Sequence, residues 1–168
     1  DTGDMLVKRA TPLDPEEDAR SLHDRLSLLG ADALDETLEL LAAGRLTPEK
    51  QDDSQSSYAP MLKKEDGRID WNREPVAVKN LVRGMNPWPG AFTCLGGKLV
   101  KVFRVATAEG RGMPGTVLAA DRNGIEVACR GGSGSLLELQ LEGTRRLPAR
   151  DCLAGCRIGP GTLRGKGA

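Results

Sequence analysis

The sequence predicts an α+β protein in which a helical segment, a polar linker and a small antiparallel β-barrel with flanking helices follow one another. Three observations predict this order. Leucines recur at helical spacing before residue 44. Residues 45–64 are polar, contain two prolines and show no sustained period, which is linker composition. Beyond residue 90, about five short β-type segments recur at intervals of roughly ten residues, as in a small barrel.

The first segment is predicted to contain one strand and two helices. Residues 5–7 (Met-Leu-Val) have the composition of a short buried strand. Pro15 suits the first position of a helix, and the acidic residues 16–18 complement the positive end of the helix dipole. We expect Gly30 to interrupt this helix, and Gly44 to end the second helix as its C′ residue.

Each of these two predicted helices carries three leucines at positions i, i+4 and i+7, the spacing of one buried helix face. They are Leu22, Leu26 and Leu29, followed by Leu34, Leu38 and Leu41. Two helices and one strand cannot enclose a core of their own. We therefore expect this stretch to pack against protein that lies outside the chain.

The second half is predicted to be mostly β structure. Gly96-Gly97 is a two-residue hairpin signal, and the prolines within 86–90 exclude a helix there. We expect the stretch Gly131–Gly134 to join two strands. The predicted elements are, in order, a helix from Pro75 to about Met85, strands at 91–95, 98–106, 116–120, 124–130 and 135–141, and a helix near Ala149–Cys156.

Charge is distributed unevenly along the chain although its formal net charge is zero. Residues 1–57 hold 14 acidic and 6 basic side chains, a net charge of −8. Residues 58–168 hold 10 acidic and 18 basic side chains, a net charge of +8. Such asymmetry suggests two units, the second facing a polyanion, with a merely solvated basic surface as the alternative.

Several classes of protein are disfavoured by composition. No apolar run approaches the roughly 20 residues that span a bilayer, and no signal-peptide pattern opens the chain. Because the first residue is Asp1, we expect a processed or truncated product, soluble in the cytoplasm. The cysteines (Cys94, Cys129, Cys152 and Cys156) lack the paired spacing of a zinc site. They are predicted to be small apolar fillers in a reducing compartment, with no metal site.

Six blocks of sequence, in order along the whole chain, carry a resemblance to one family. The most specific is Arg83-Gly84-Met85-Asn86-Pro87-Trp88-Pro89-Gly90-Ala91. The others are Asp1-Thr2-Gly3-Asp4-Met5-Leu6, Tyr58-Ala59-Pro60 with residues 63–71, Pro114-Gly115-Thr116-Val117-Leu118, Leu137-Glu138-Leu139-Gln140 and Gly143-Thr144-Arg145-Arg146. In these blocks the chain resembles the methionyl-tRNA formyltransferases.

The resemblance implies a domain order and an activity. Residues 1–44 would be the end of a Rossmann-like formyltransferase domain, 45–64 a linker, and 65–168 an OB-like tRNA-binding domain. The activity would be formyl transfer from 10-formyltetrahydrofolate to the amino group of methionyl initiator tRNA in translation initiation. The expected partners are that tRNA and a catalytic domain outside the chain, in a cytoplasmic monomer without a membrane.

The resemblance also implies a catalytic set of Asn, His and Asp, of which only the Asp has a counterpart here, Asp1. From the residues alone, an Asp before Thr-Gly is most often a turn former. A carboxylate can orient an imidazole and help manage protons, but it cannot polarise the formyl carbonyl. His23 is expected on a helix surface, not at a catalytic centre. The chain by itself is therefore expected to be inactive.

Basic residues of the second half are the candidates for tRNA binding. They are Lys63, Lys64, Arg68, Lys98, Lys101, Arg104, Arg145 and Arg146. Any one of them fits a solvated surface, but as a set they can bind phosphates. At the last pair the family commonly has lysines, and arginine adds bidentate contacts. With five aromatic residues in the chain, recognition of RNA backbone and shape is expected instead of base readout.

Trp71 and Trp88 are predicted to pack against the barrel as rigid apolar groups.

Two alternatives to the tRNA enzyme stay open. The chain could be the tail of a sugar-nucleotide formyltransferase, or it could be a non-catalytic interaction barrel.

Overall fold

The structure, a computed structural model, describes residues 2–155, 158 and 163–164. The chain divides into two compact units, the first ending at Met61 and the second beginning at Leu62. With the charge count above, the first unit carries the net −8 and the second the net +8, since residues 58–61 are uncharged. No helix among the described residues is both long and apolar enough to cross a bilayer.

The first unit is built around one helix, α1 (Ala19–Ala42). Asp18 caps it, with its side chain accepting a hydrogen bond from the Ser21 amide. The helix therefore begins four residues after Pro15, and it runs through Gly30 without a break. The predicted interruption is wrong, because an interior glycine costs only about 1 kcal/mol relative to alanine.

The C-terminal end of α1 confirms the role predicted for Gly44. Its φ is +65°, in the left-handed region. Its amide donates to the Leu41 carbonyl at 3.1 Å, and the Arg45 amide donates to the Leu40 carbonyl at 2.9 Å. This pair of bonds is the Schellman motif, which satisfies the last carbonyls of the helix.

The predicted buried elements of the first unit are not buried within it. No residue of α1 is buried, and Leu34, Leu38 and Leu41 are 59%, 53% and 60% exposed. Met5 forms a single antiparallel bridge with Glu49 in place of a strand, and Leu6 is 45% exposed. The predicted strand at residues 5–7 is wrong, since only a bridge forms there. The leucines of α1 find no core within this unit, and their packing against protein outside the chain stays a prediction.

The second unit is an antiparallel sheet with two helices. Helix α2 (Pro75–Gly84) precedes the sheet, and α3 (Ala149–Gly155) follows most of it. The strands are β1 (Ala91–Leu95), β2 (Lys98–Ala108), β3 (Val117–Asp121), β4 (Gly124–Cys129), β5 (Gly132–Leu141), β6 (Leu147–Pro148) and β7 (Leu163–Arg164).

The strand order β3-β4-β5-β2-β1-β7, with β6 beside β5, confirms an α+β fold with an antiparallel sheet. The closed barrel that the sequence predicted is not formed by these pairings. Strands β3 and β7 stand at opposite ends of the order and do not pair with each other within the described part of the chain. The hairpin at Gly96-Gly97 is confirmed, with φ values of +56° and +81° that match a type I′ turn.

Helix α2 and the strands enclose the core of the second unit. Val78 and Val82 of α2 are buried, as are Val102 and Leu139 of the facing strands. Trp71 is 3% exposed and donates from Nε1 to the Thr93 hydroxyl at 3.1 Å, so its predicted packing role is confirmed. The indole thereby provides a hydrogen-bond partner for the buried hydroxyl group of Thr93 on β1.

Most of the glycine-rich stretch 131–134 belongs to strand β5 and does not form a loop between two strands. The turn between β4 and β5 consists of Arg130 and Gly131 alone, because Cys129 pairs directly with Gly132. A Cβ atom on Gly132 would meet Pro75 Cγ at 2.9 Å, and one on Gly134 would meet Val105 Cγ1 at 3.2 Å. These glycines therefore serve close packing, which their sequence does not distinguish from a flexible loop.

The cysteines of the second unit behave as small apolar residues. Cys129 and Cys152 are buried and Cys94 is half-buried, all as free thiols. Burial raises the pKa of Cys129 to about 11, so this thiol stays protonated at neutral pH. Cys156 lies outside the described residues. Within the part of the chain that the structure describes, no three His, Cys, Asp or Glu side chains group in a way that could hold a metal ion.

Candidate nucleic-acid interface

Strands β1, β2 and β5 present one face to the core and the opposite face outward. Since side chains alternate along a strand, the partners Phe92, Lys101 and Gln140 form a row on the outer face. Arg68 joins this row through a bridge to Phe92, and its guanidinium carbon lies 5.7 Å from the centre of the Phe92 ring. Two of the predicted basic residues, Arg68 and Lys101, are thus brought together by a phenylalanine.

A second group of charges lies along β2 and β5 on the same face. Arg104 is paired with Glu138 across the strands. Arg146 binds the Glu138 carboxylate through Nε and one terminal nitrogen, each at 2.7 Å. The same guanidinium lies 4.3 Å from the centre of the Phe103 ring. We call Arg68, Lys101, Arg104 and Arg146 the cationic face.

Glu138 reduces the positive charge of the cationic face. Hydrogen bonding from Arg146, followed by the charges of Arg146 and Arg104, lowers the pKa of the Glu138 carboxyl below its ordinary value of 4.5. At neutral pH the carboxylate is ionised and offsets one positive charge of the face. Arg146 is held by a bidentate ion pair and an aromatic ring, so we expect it to shape the face more than to bind phosphate.

We expect Glu138→Gln to remove a pH-dependent stabilisation. Because the folded-state pKa is lowered, the stabilisation is present above about pH 4.5 and is lost as the pH falls through the folded-state value. Both partners are partly exposed, so the free energy of unfolding should change by at most about 1 kcal/mol. Urea unfolding at pH 7 and pH 3 checks this: the difference between wild type and variant should be smaller at pH 3. A difference of equal size at both pH values would contradict it.

The other predicted basic residues do not share the cationic face. Lys98 is the strand partner of Leu95, at the hairpin end and on the opposite side from Lys101. Arg145 lies in the loop between β5 and β6. Lys63 precedes the short 3₁₀ turn Lys64–Gly67, and Lys64 is its first residue. The Lys63 backbone amide donates to the Asp66 carboxylate at 2.7 Å. This turn precedes Arg68 directly.

Of three further predictions, the structure decides two. Asp1 lies outside the described residues, so its placement stays a prediction. The side chain of His23 is 81% exposed, with Nδ1 3.5 Å from the Asp24 carboxylate, which confirms a helix-surface position. Trp88 is 56% exposed, so its predicted packing is wrong. Its loop is closed by a backbone bond from Gly90 to Met85 at 2.8 Å and does not depend on the indole.

Two clefts on the second unit are lined by its described residues. One, of about 290 Å³, is lined by the charged residues Asp66, Arg68, Asp70 and Arg73 and by the apolar residues Ala77, Val78 and Leu81. The other, of about 430 Å³, is a shallow surface cleft beside Arg130. Both are mixed in charge and open to solvent, whereas small-molecule sites are mostly apolar and enclosed.

Sequence reasoning missed Phe92, Phe103 and Glu138, which organise the cationic face. A signal for them existed in the alternation of β2 and β5, where outward positions carry Lys101, Glu138 and Gln140. The register that joins these positions was not visible, because it includes shifts between Val102 and Val105.

Comparison with known proteins gives a consistent group of matches. The model of the family described as "Formyl transferase, C-terminal domain" matches residues 61–157. The methionyl-tRNA formyltransferase of Geotalea uraniireducens is 64% identical over 99% of this chain and 53% of its own length. That of Geobacter sulfurreducens is 63% identical over 99% and 52%, and that of Caldanaerobacter subterraneus 42% over 97% and 53%. The chain spans about half the length of the curated relatives it matches.

Solved structures share the fold at low identity. HypX from Aquifex aeolicus, in complex with tetrahydrofolic acid, superposes with a TM-score of 0.62 and 23% identity, over 90% of this chain and 27% of that one. WlaRD, a sugar 3N-formyl transferase, gives a TM-score of 0.62 with 15% identity, over 86% and 51%. At such identities these structures inform on the fold alone.

Proposed function

The chain belongs to the formyltransferases through their C-terminal domain, and from that membership we propose that it is the C-terminal half of a methionyl-tRNA formyltransferase. The enzyme would transfer the formyl group of 10-formyltetrahydrofolate to the amino group of methionyl initiator tRNA in translation initiation. The observation that carries the proposal is the high identity to the Geotalea uraniireducens enzyme across nearly the whole chain. That identity extends through both units, beyond the region that the family model matches.

The first unit would belong to the catalytic domain of the enzyme, and the second unit would bind the tRNA. We propose that residues 1–44 complete a Rossmann-like catalytic domain, that 45–64 form a linker, and that 65–168 form an OB-like tRNA-binding domain. The exposed leucines Leu34, Leu38 and Leu41 support the first part, since a catalytic domain preceding the chain would cover them. The net charge of +8 in the second unit supports the last part.

The cationic face is the part of the second unit that we propose to meet the tRNA. Arg68, bridged to Phe92 of β1, shares one surface with Lys101 and Arg104 of β2, so several phosphates of a backbone could be neutralised together. Both phenylalanines of the chain lie under guanidinium groups. This arrangement favours contacts to the RNA backbone and its shape over stacking of bases on aromatic rings.

The chemical step would belong mainly to the half of the enzyme outside this chain. The two clefts named above are open to solvent and lined by charged groups of both signs, which supports assigning the formyl donor to that other half. Asp1, by resemblance, would orient the histidine of the catalytic set and help manage protons at the attacking amine. Without a donor to the oxyanion, it would not drive the reaction, and the chain alone would be inactive. A cytoplasmic, monomeric enzyme stays a prediction from the sequence.

The experiment that tests the proposal is a chimera in which this chain replaces the matching segment of the Geotalea uraniireducens enzyme. Formylation of methionyl initiator tRNA by the chimera, with the isolated chain inactive, is the expected result. A folded chimera that formylates only a nucleotide-linked amino sugar would favour the sugar-nucleotide alternative. A folded chimera inactive on both substrates would favour the non-catalytic interaction barrel.

A further inference from the structure

Glu138 is an acidic residue beside the guanidinium groups of the cationic face, the surface that is proposed to meet a polyanion. Arg146 donates to its two carboxylate oxygens from Nε and Nη2, each at 2.7 Å. The Arg146 guanidinium in turn lies 4.3 Å from the centre of the Phe103 ring. All three residues belong to the second unit. The orientation of the carboxylate is therefore set by contacts within that unit and not by protein outside the chain.

The Glu138 carboxylate keeps acceptor capacity beyond its ion pair with Arg146. An ionised carboxylate offers about four lone-pair positions, and Arg146 uses one on each oxygen. The Glu138 side chain is 28% exposed, so a ligand on the cationic face can contact these oxygens. A backbone phosphate is repelled there, because it carries the same sign of charge and has no hydrogen to donate. The matching ligand group is therefore a neutral hydrogen-bond donor.

A ribose is the part of an RNA backbone that lies between successive phosphates. Arg104 is paired with Glu138 across the strands, and Arg104 and Lys101 are among the residues proposed to neutralise phosphates. An RNA strand with phosphates on these cations would bring a ribose to the carboxylate beside them. The ribose 2′-hydroxyl is a hydrogen-bond donor that RNA has and DNA lacks.

We propose that Glu138 is a specificity-determining residue: its carboxylate, fixed by Arg146 beside Arg104, accepts a hydrogen bond from a ribose 2′-hydroxyl of the tRNA. This inference rests on the proposed function and identifies how the cationic face distinguishes RNA from DNA. Against DNA the same carboxylate is an unpaired negative charge near the phosphates, which disfavours binding. The basic residues of the face supply affinity for either polymer, and Glu138 supplies the preference.

The test is a double-mutant cycle on the full-length chimera. One change is Glu138→Ala, with Asp151→Asn as the control that removes one negative charge from α3. The other change replaces the 2′-hydroxyls of initiator tRNA by fluorine, which cannot donate a hydrogen bond. We expect fluorine to weaken binding to the unmodified chimera by roughly 10-fold more than binding to the Glu138→Ala protein. The Asp151→Asn protein should lose as much affinity as the unmodified chimera.

Each alternative outcome has a distinct meaning. If the unmodified chimera does not formylate methionyl-tRNA, the proposed function fails and this inference fails with it. If the chimera is active and fluorine weakens binding equally with and without Glu138, the carboxylate contacts no ribose and this inference alone is wrong. Phosphate contacts that Arg146 gains in the variant affect both tRNAs alike and cancel in the cycle.

A second variant keeps the test decisive if Glu138→Ala does not fold. Glu138→Gln has a similar shape and keeps an oxygen acceptor, but it lacks the charge that strengthens the hydrogen bond. Its loss of affinity on fluorine substitution should be roughly threefold smaller than that of the unmodified chimera. Equal losses in these two proteins would overturn the proposal.

Discussion

Replacing Arg68, Lys101 and Arg104 together by glutamine is expected to weaken binding of the chain to initiator tRNA by roughly 400-fold at about 50 mM salt. Each neutralised phosphate contributes roughly 0.7 to the slope of log K against log salt for a single strand and more for a duplex, so losing three contacts reduces the slope by at least about 2. If the two lines meet near 1 M salt, a slope difference of about 2 gives this factor. The measurement is a salt series of tRNA binding, with elongator tRNA and a DNA duplex as competitors.

A matched triple variant shows whether tRNA affinity depends on the position of the basic residues or only on the net charge. Arg111, Arg122 and Arg130 lie in loops and turns outside the strands of the cationic face. Their joint replacement by glutamine changes the net charge by the same amount and should reduce affinity far less. If both triple variants lose the same affinity, binding depends on net charge and the cationic face is not the interface. If neither binds less tightly than wild type, tRNA contacts lie elsewhere.

Gly67→Ala is expected to destabilise the second unit by about 3 kcal/mol, at the upper end for overpacking. Gly67 is buried, and a Cβ atom there would overlap the Gly90 carbonyl oxygen, a backbone atom that cannot rotate away. The residues that follow are tied to β1, since the Ile69 amide donates to the Phe92 carbonyl at 2.8 Å. The clash would therefore displace Arg68 from Phe92 as well, so tRNA binding should also weaken.

Urea unfolding followed by Trp71 fluorescence measures this loss. Gly84→Ala is the control, because a Cβ atom on this helical glycine meets nothing within 4 Å. Alanine there should raise the free energy of unfolding by about 0.5 kcal/mol. A Gly67→Ala protein as stable as wild type would mean that the Gly67–Gly90 approach relaxes at low cost, and that it does not fix the position of Arg68.

Much of the second unit could be predicted because its signals are local. The pair Gly96-Gly97 specifies a tight hairpin, and Val78 and Val82 repeat at helical spacing on α2. The ends of both helices of this unit were also close to their observed positions. The motif around Trp88 indicated the family correctly, although the indole itself is exposed. A family motif identifies a chain without revealing what each of its residues contacts.

The sequence by itself determined the family, the α+β class, the division of charge and most element positions, because these depend on neighbours within a few residues. Only the tertiary structure decided that Arg146 is held by Glu138 and Phe103, that Gln51 reaches Gly3, and that Leu34, Leu38 and Leu41 of α1 are exposed. These facts depend on strand register and on contacts between distant residues. A pattern of side chains states which groups could be buried or paired, but the partner that buries or pairs them is fixed only when the chain folds.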